Sequence, residues 1–200
     1  MKHFSWIFAV AILFFASCGQ QSKNNASEAG AANNEAEVSE VAAENTNETG
    51  AAENETAEEA ELQQFTDIAL PGTDNKVFKV SDYVAKNKLT LIDFWASWCS
   101  PCRAEMPYVV KAYSAFHKQG FEIVGVSLDQ DRDAWLNAIR DLQLLWPQMS
   151  DLKGWECAGA QAYGVQSIPA NVLIDQKGRI VASDLRGDAL YRQVEKLLAE

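Results

Sequence analysis

Leu91-Ile92-Asp93-Phe94-Trp95-Ala96-Ser97-Trp98-Cys99-Ser100-Pro101-Cys102-Arg103-Ala104-Glu105-Met106-Pro107 is the stretch on which the fold of this 200-residue chain turns. Leu91, Ile92, Phe94 and Trp95 form a short apolar, β-prone run free of Gly and Pro, as a strand buried on both faces requires. A few small residues later, Cys99 and Cys102 bracket Ser100-Pro101. Proline has no N–H to lose in a first helical turn, so a helix can start at Pro101. The Cys99 sulfur then sits at a helix N-terminus, where unpaired amides and the macrodipole favour a thiolate, the nucleophile of thiol–disulfide exchange. Cys102 lies one turn away and can close a disulfide with Cys99.

Two other uses of such a pair are open. A CxxC can be half of a zinc site, but four-ligand sites need a second pair. The remaining candidates, Cys157, His117, His3 and Cys18, show no such spacing. An inert structural disulfide is the second alternative, since exported proteins use them. A buried strand, an aromatic collar and a helix start are unnecessary for a staple, so redox chemistry is the favoured reading.

With Asp93-Phe94-Trp95-Ala96 before the Trp98-Cys99-Ser100-Pro101-Cys102 core and Ile168-Pro169-Ala170 further on, residues 62–200 resemble the thioredoxin superfamily. The resemblance is to its TlpA/ResA-like thiol–disulfide oxidoreductases, membrane-anchored proteins of bacteria. It implies that Cys99 is the attacking thiol and that a shielded Cys102 resolves the mixed disulfide. Asp93, a carboxyl in a buried strand, should have its pKa raised by desolvation and can take the proton of Cys102; it resembles the buried aspartate of thioredoxin. Glu105 lies on the same helical face as Cys102. It matches a glutamate that ResA-like proteins carry beside the CxxC, implying that it tunes the thiols and meets the substrate. The resemblance also implies a cis Pro169 packed against the disulfide, with the Ile168 backbone offered to an extended substrate as if to an added strand. Trp98, Pro101 and Ile168 are thus the expected substrate-binding residues, and Trp95 a packing residue.

Outward from this centre the chain reads as one α/β domain of ordinary size. Upstream, Phe65–Ala69 and Lys76–Val80 look like strands of a hairpin turning at Leu70–Asn75. Ser81 can cap a short helix over Asp82–Lys86. The strand Leu89–Trp95 is followed by the helix from Pro101, which Pro107 should kink near its second turn and which ends before Gly120. A buried strand Phe121–Leu128 and a helix Asp131–Arg140 complete a βαβα alternation that implies a parallel core. Leu142–Gly164 reads as an insertion with an irregular strand and a short helix over Ala158–Tyr163. Strands Asn171–Asp175 and Arg179–Ser183 flank a turn at Gln176-Lys177-Gly178, and a helix Asp188–Ala199 closes the chain. The fold class is therefore α/β: a thioredoxin-like fold with an added N-terminal β-hairpin and a central insertion, preceded by a disordered acidic tether. Cys157 reads as a buried filler and His117 as a side chain suited to a helix C-terminus.

Residues 19–61 are that tether. Between Gln20 and Glu61 there are eleven glutamates, one lysine (Lys23) and no aromatic residue, so the segment carries −10 of the chain's formal −11. It cannot bury enough apolar surface to offset chain entropy. The acidic sign argues against nucleic acid as a partner. Residues 1–18 read as a signal segment: a basic start, then Phe4–Ala16, apolar apart from Ser5 and too short for a membrane span of ~20 residues. Phe15-Ala16-Ser17-Cys18 resembles a lipoprotein box, making Cys18 a lipid anchor. Gly19-Gln20-Gln21-Ser22 has no early acidic residue, which favours the periplasmic face of a membrane over surface display.

The reading that results is a lipid-anchored, monomeric thiol–disulfide oxidoreductase of the cell envelope, with no cofactor beyond the Cys99–Cys102 pair and no metal. Its partners are expected to be disulfide-containing exported proteins, such as apocytochrome c, and a membrane thiol electron donor. A disulfide oxidase or isomerase, a peroxidase, and a non-enzymatic envelope binding protein with a structural disulfide are the competing functions.

Overall fold

Seven consecutive buried residues, Leu89–Trp95, form the central strand of a five-stranded sheet, and this position explains their composition. A strand covered on both faces and hydrogen-bonded on both edges has no solvent side to make polar. The computed structural model describes residues 62–200. The segments expected to be a signal (1–18), with Cys18 as its anchor, and a tether (19–61) lie outside the described residues.

In chain order the elements are β1 (Ala69–Pro71), β2 (Val77–Lys79), α1 (Ser81–Val84), β3 (Leu89–Trp95), α2 (Ser100–Phe116), β4 (Phe121–Ser127), α3 (Arg132–Asp141), β5 (Gln148–Met149), α4 (Ala158–Ala162), β6 (Ala170–Asp175), β7 (Ile180–Ser183) and α5 (Asp188–Ala199). The sheet order is β5-β4-β3-β6-β7, with β1 and β2 forming a separate antiparallel ribbon. β3 runs parallel to β4, from Leu89 opposite Phe121 to Trp95 opposite Ser127. On its other edge it runs antiparallel to β6, with Phe94 opposite Ala170. The C-terminal end of β3, where the CxxC turn begins, is thus beside the end of β4 and the start of β6. That convergence builds the site.

The expectation of a parallel core holds for β3, β4 and β5 only. β6 and β7 are antiparallel to their neighbours, so the sheet is mixed. The crossover helices α2 and α3 return the chain to the same end of the sheet, giving parallel strands. The tight turn at Gly178 (φ +82) reverses it instead.

The N-terminal hairpin is present, but its first strand is Ala69–Pro71 rather than Phe65–Ala69. Residues 63–65 lie against the β6–β7 turn instead: Phe65 N–H donates to Gly178 O (2.9 Å) and Ile180 N–H to Gln63 O (2.8 Å). Ile68 and Leu70, two residues apart, are the buried pair that sets the strand's inward face. Pro71 is tolerated because the two-stranded ribbon is all edge. Ser81 is not the cap of α1 but its first residue. Its N–H and hydroxyl both donate to the Asp67 carboxylate, at 2.9 and 2.8 Å, an acceptor stronger than the serine hydroxyl could offer in return.

α2 is one continuous helix through Pro107, and it buries Cys102, Met106, Val109, Ala112 and Phe116. It packs on α5, where the rings of Phe116 and Tyr191 lie 4.7 Å apart. Asp131 caps α3 by accepting from Ala134 N–H (2.9 Å). The insertion Leu142–Gly164 contributes the edge strand β5, a 3-10 turn at Gly154–Glu156 and α4. β5 approaches β4 at Gly125, where a Cβ would stand 2.2 Å from Gln148 Oε1. Only glycine leaves room for the hydrogen bond that Gln148 Oε1 accepts from Trp95 Nε1 (3.0 Å).

Candidate active site

Cys99 occupies the N-cap of α2 in an extended conformation (φ −82, ψ 99), and its sulfur accepts from Cys102 N–H at 3.2 Å. A sulfur in that place satisfies one of the helix's four orphan amides and faces the positive end of its dipole, which favours a thiolate once the disulfide is reduced. The two cysteines are joined as a disulfide. Cys99 retains 4% exposure and Cys102 none, so Cys99 is the less deeply buried of the two. Pro101 lies in the first turn of the helix, where its missing N–H costs no hydrogen bond.

The turn leading into Cys99 is pinned from β4. Asp129, almost fully buried, accepts from Ser97 N–H (3.0 Å), Ser97 Oγ (2.5 Å) and Ser127 Oγ (2.7 Å). The sequence reading did not single out Asp129. Its signal was a carboxylate just past the end of a buried strand parallel to β3, at the strand end where α/β sheets place their sites. With its base held, the turn projects Trp98 outward at 55% exposure.

On the opposite side, the Ile168–Pro169 peptide bond is cis and Ile168 O lies 3.7 Å from Cys99 Sγ. Arg186 supports this loop by donating to Pro169 O, and a second guanidinium nitrogen donates to Leu185 O (2.9 Å). Asn171 fastens the same segment to β6, donating to Leu185 O and accepting from Leu185 N–H, both at 2.9 Å. Neither Arg186 nor Asn171 has a local sequence signature; each acts on residues far from its own motif.

Asp93 is buried in β3, and its Oδ2 has no hydrogen-bond partner among the described residues. Burial pushes its carboxyl up to about 7; the Arg186 charge opposes the shift and the Glu105 charge adds to it. Glu105, one turn beyond Cys102, points to α5. Its Oε2 accepts from Gly187 N–H at 2.8 Å, so it caps that helix from α2. Gly187 is at φ +52 and offers no side chain for the purpose. The disulfide, the Ile168–Pro169 loop, Arg186, Asp93 and Glu105 therefore form one connected cluster. It can present a nucleophilic sulfur to an extended chain and hold a proton on Asp93 at neutral pH.

Trp95 is fully buried and belongs to the core. Cys157 is fully buried and unpaired, its thiol pushed up by burial. His117 Nδ1 lies 3.3 Å from Phe121 O and away from the cluster just described. Among the described residues no group of three or more His, Cys, Asp or Glu side chains could hold a metal ion. Among those residues no helix is long and apolar enough to cross a membrane.

Comparison with known proteins agrees with this geometry. The Redoxin family profile matches residues 58–197. The thiol-disulfide oxidoreductase ResA of Bacillus thuringiensis subsp. konkukian is 31% identical over 125 residues, 62% of this chain and 69% of that protein. Among solved structures, the thioredoxin domain of a thiol-disulfide oxidoreductase from Bacteroides vulgatus is 36% identical with a TM-score of 0.63, covering 68% of this chain and 96% of that one. A putative thiol:disulfide interchange protein DsbE from Chlorobium tepidum is 29% identical with a TM-score of 0.61, covering 68% of this chain and 96% of that one. Joined to a Cys99–Cys102 disulfide at the head of a helix, these likenesses make the chain a thioredoxin-fold member of the Redoxin family, a ResA-like thiol–disulfide oxidoreductase.

Proposed function

We propose that the Cys99–Cys102 pair works as a reductant of disulfides in exported proteins, apocytochrome c among them. The observation that carries this reading is the Cys99 sulfur at the N-terminus of α2, on the less buried cysteine of the pair, 3.7 Å from the Ile168 carbonyl. In the dithiol form the Cys99 thiolate attacks one sulfur of the substrate disulfide. A Cys99–substrate disulfide forms and the other substrate sulfur leaves as a thiolate. Cys102 gives its proton to Asp93 and attacks Cys99 Sγ, which releases the second substrate thiolate and closes the Cys99–Cys102 disulfide. Two electrons have moved from enzyme to substrate. An oxidising compartment does not return them, so a membrane thiol donor must regenerate the dithiol.

In this reading Pro101 and Trp98 frame the sulfur, the Ile168 backbone pairs with the extended substrate, and Pro169 keeps that loop against the disulfide. Glu105 bears on Asp93 through its charge. The chain acts as a monomer in the cell envelope, facing the periplasm and held by a lipid on Cys18 through the acidic segment 19–61. The matches to a ResA protein and a DsbE-named structure support it.

The test is a redox titration of the Cys99–Cys102 couple against glutathione and dithiothreitol. A potential near thioredoxin's value of about −270 mV supports the reductant, whereas one near about −120 mV reverses the direction and makes the protein an oxidase. A folded protein whose disulfide exchanges with neither buffer would refute the enzymatic reading and leave a structural staple.

A further inference from the structure

Of the five tryptophans among the described residues, Trp95, Trp135 and Trp146 are buried, while Trp98 and Trp155 are 55% and 48% exposed. The two exposed indoles are neighbours, their ring centroids 6.3 Å apart and their planes tilted by 57°. They come from separate parts of the chain: Trp98 from the turn before Cys99, Trp155 from the 3-10 turn Gly154–Glu156 in the insertion. Together they wall an open cleft of about 480 Å³ that Leu128, Gln130 and Gly154 also line. Lys153 and Glu156, of opposite charge, also line it, so it carries no net charge to select an ion.

The segment that presents Trp155 is built to hold it there. Asp151 accepts from Lys153 N–H (3.2 Å) and from Ala158 N–H (3.0 Å), bracketing the 3-10 turn from both ends. Ser150 Oγ accepts from Leu152 N–H (3.1 Å) and donates to Ser127 O (2.9 Å), tying the segment to β4. Gly154 is at φ +59, and a Cβ there would also come within 3.1 Å of the Gln130 side chain. The same segment buries Cys157 completely. Keeping a large apolar ring in water beside a second one costs hydrophobic free energy that binding recovers.

We propose that the Trp98–Trp155 cleft is a specificity subsite that receives an aromatic or large aliphatic side chain of the substrate polypeptide, flanking the cysteine under attack. The inference rests on the thiol–disulfide exchange reading of Cys99 and deepens it by naming the substrate's chemistry. The occupant follows from continuity with the exchange surface. Any substrate sulfur must come to bonding distance of Cys99, and Trp98 is the residue immediately before it in the chain. An extended substrate advances ~3.3 Å per residue, so the side chains one or two positions from its cysteine reach the cleft. Two indole walls and cancelling charges suit a ring better than a carboxylate, an ammonium or a hydroxyl.

The experiment uses the full-length protein, reduced and freed of reductant. The probes are short peptides with a single central cysteine held as a mixed disulfide with thionitrobenzoate. Attack by Cys99 on the peptide sulfur releases that coloured thiolate and leaves a Cys99–peptide disulfide. Phe, Ser, Asp or Lys is placed in turn at the two positions on each side of the cysteine. The expected result is a second-order rate about tenfold higher for Phe than for Ser at one of these positions, the order a single filled apolar subsite yields. In Trp155→Ala the Phe-to-Ser ratio should fall to about one, and in Trp155→Phe most of it should return. Equal rates for all four residues at every position in the unmutated protein overturn the proposal, as does a charged residue outpacing Phe. A ratio unchanged in Trp155→Ala also overturns it. The comparison in the unmutated protein decides the matter even if a variant does not fold. No thionitrobenzoate release from any peptide, or from its symmetrical disulfide, defeats the exchange reading itself; release without selectivity defeats only the subsite.

Discussion

Replacing Asp93 by Asn should change how the stability of the protein depends on pH, and the size of the change follows from the site. The Asp93 carboxyl is pushed from its ordinary 3.8 up to about 7, chiefly because it is buried in β3. Arg186 draws it back and Glu105 pushes it further. The unfolded chain therefore loses this proton near pH 4 and the folded chain near pH 7. Between those values the folded state binds more protons, so stability falls as pH rises and levels off above about 7. A shift of about three units at 1.36 kcal/mol each gives a loss of about 4 kcal/mol across that window. The asparagine of the variant has no such proton. The unfolding free energy of Asp93→Asn minus that of the unmutated protein should thus grow by about 4 kcal/mol from pH 4 to pH 8. Urea titrations of the oxidised full-length protein measure it. The Cys99–Cys102 disulfide keeps those thiols from titrating, and other groups cancel in the difference. In the reduced enzyme the same variant should lose any inflection near pH 7 in the rate at which mixed disulfides resolve. A stability difference flat in pH would mean that Asp93 titrates like an exposed carboxyl, and its role as proton acceptor would fall with it.

Glu105→Gln removes the charge that helps to hold the Asp93 proton, so the pH inflection of resolution should move below its position near 7. Because Gly187 N–H still finds an amide oxygen, stability should fall by no more than about 1 kcal/mol; Glu105→Ala, which leaves that helix end uncapped, should cost about 1–2 kcal/mol in urea unfolding. Gly125→Ala would drive a Cβ to within 2.2 Å of Gln148 Oε1 and displace the acceptor of Trp95 Nε1. A loss of about 2–3 kcal/mol is expected, with an altered near-ultraviolet signal from the core tryptophan. Asp129→Ala strips Ser97 of both its acceptors. It should slow attack by Cys99 and raise hydrogen exchange at the Ser97 amide, without moving the pH inflection that belongs to Asp93. Cys157, buried and with its thiol pushed up, should resist iodoacetamide in the native reduced protein while Cys99 is alkylated.

Sequence legibility followed the range of the forces involved. β3 and α5 fall on the residues that pattern and composition mark out, β4 lies within a residue of its expected bounds and α2 starts within a residue of Pro101, because their signals are local. At its other end α2 gives way to a 3-10 turn at His117–Gln119 before Gly120. An unbroken apolar run means burial on both faces, Pro101 beside a cysteine pair opens a helix, and Gly120 in the left-handed region (φ +101) stops the 3-10 turn that follows that helix. The first strand was displaced because residues 63–65 find partners at the β6–β7 turn, more than 100 positions away, and no local pattern announces that pairing. Ser81 reads as a cap by every local rule, yet Asp67, drawn in by the hairpin, binds it instead.

The site divides along the same line. Cys99, Cys102 and Pro101 work through bonds and a helix end within four residues, and the sequence by itself determined their arrangement. It also determined that Asp93 is buried, since no strand this apolar has an outward face. Only the tertiary structure decided what surrounds them. It set Arg186 on the Pro169 carbonyl, Glu105 on the cap of α5, Asp129 under the Ser97 turn and Trp155 beside Trp98. Each of these pairs joins residues separated by 17 to 82 positions, in contacts that exist only once the sheet has brought the ends of β3, β4 and β6 together. Side-chain chemistry is written one residue at a time, but a carboxylate's charge state or an indole's exposure depends on neighbours that the backbone must first deliver.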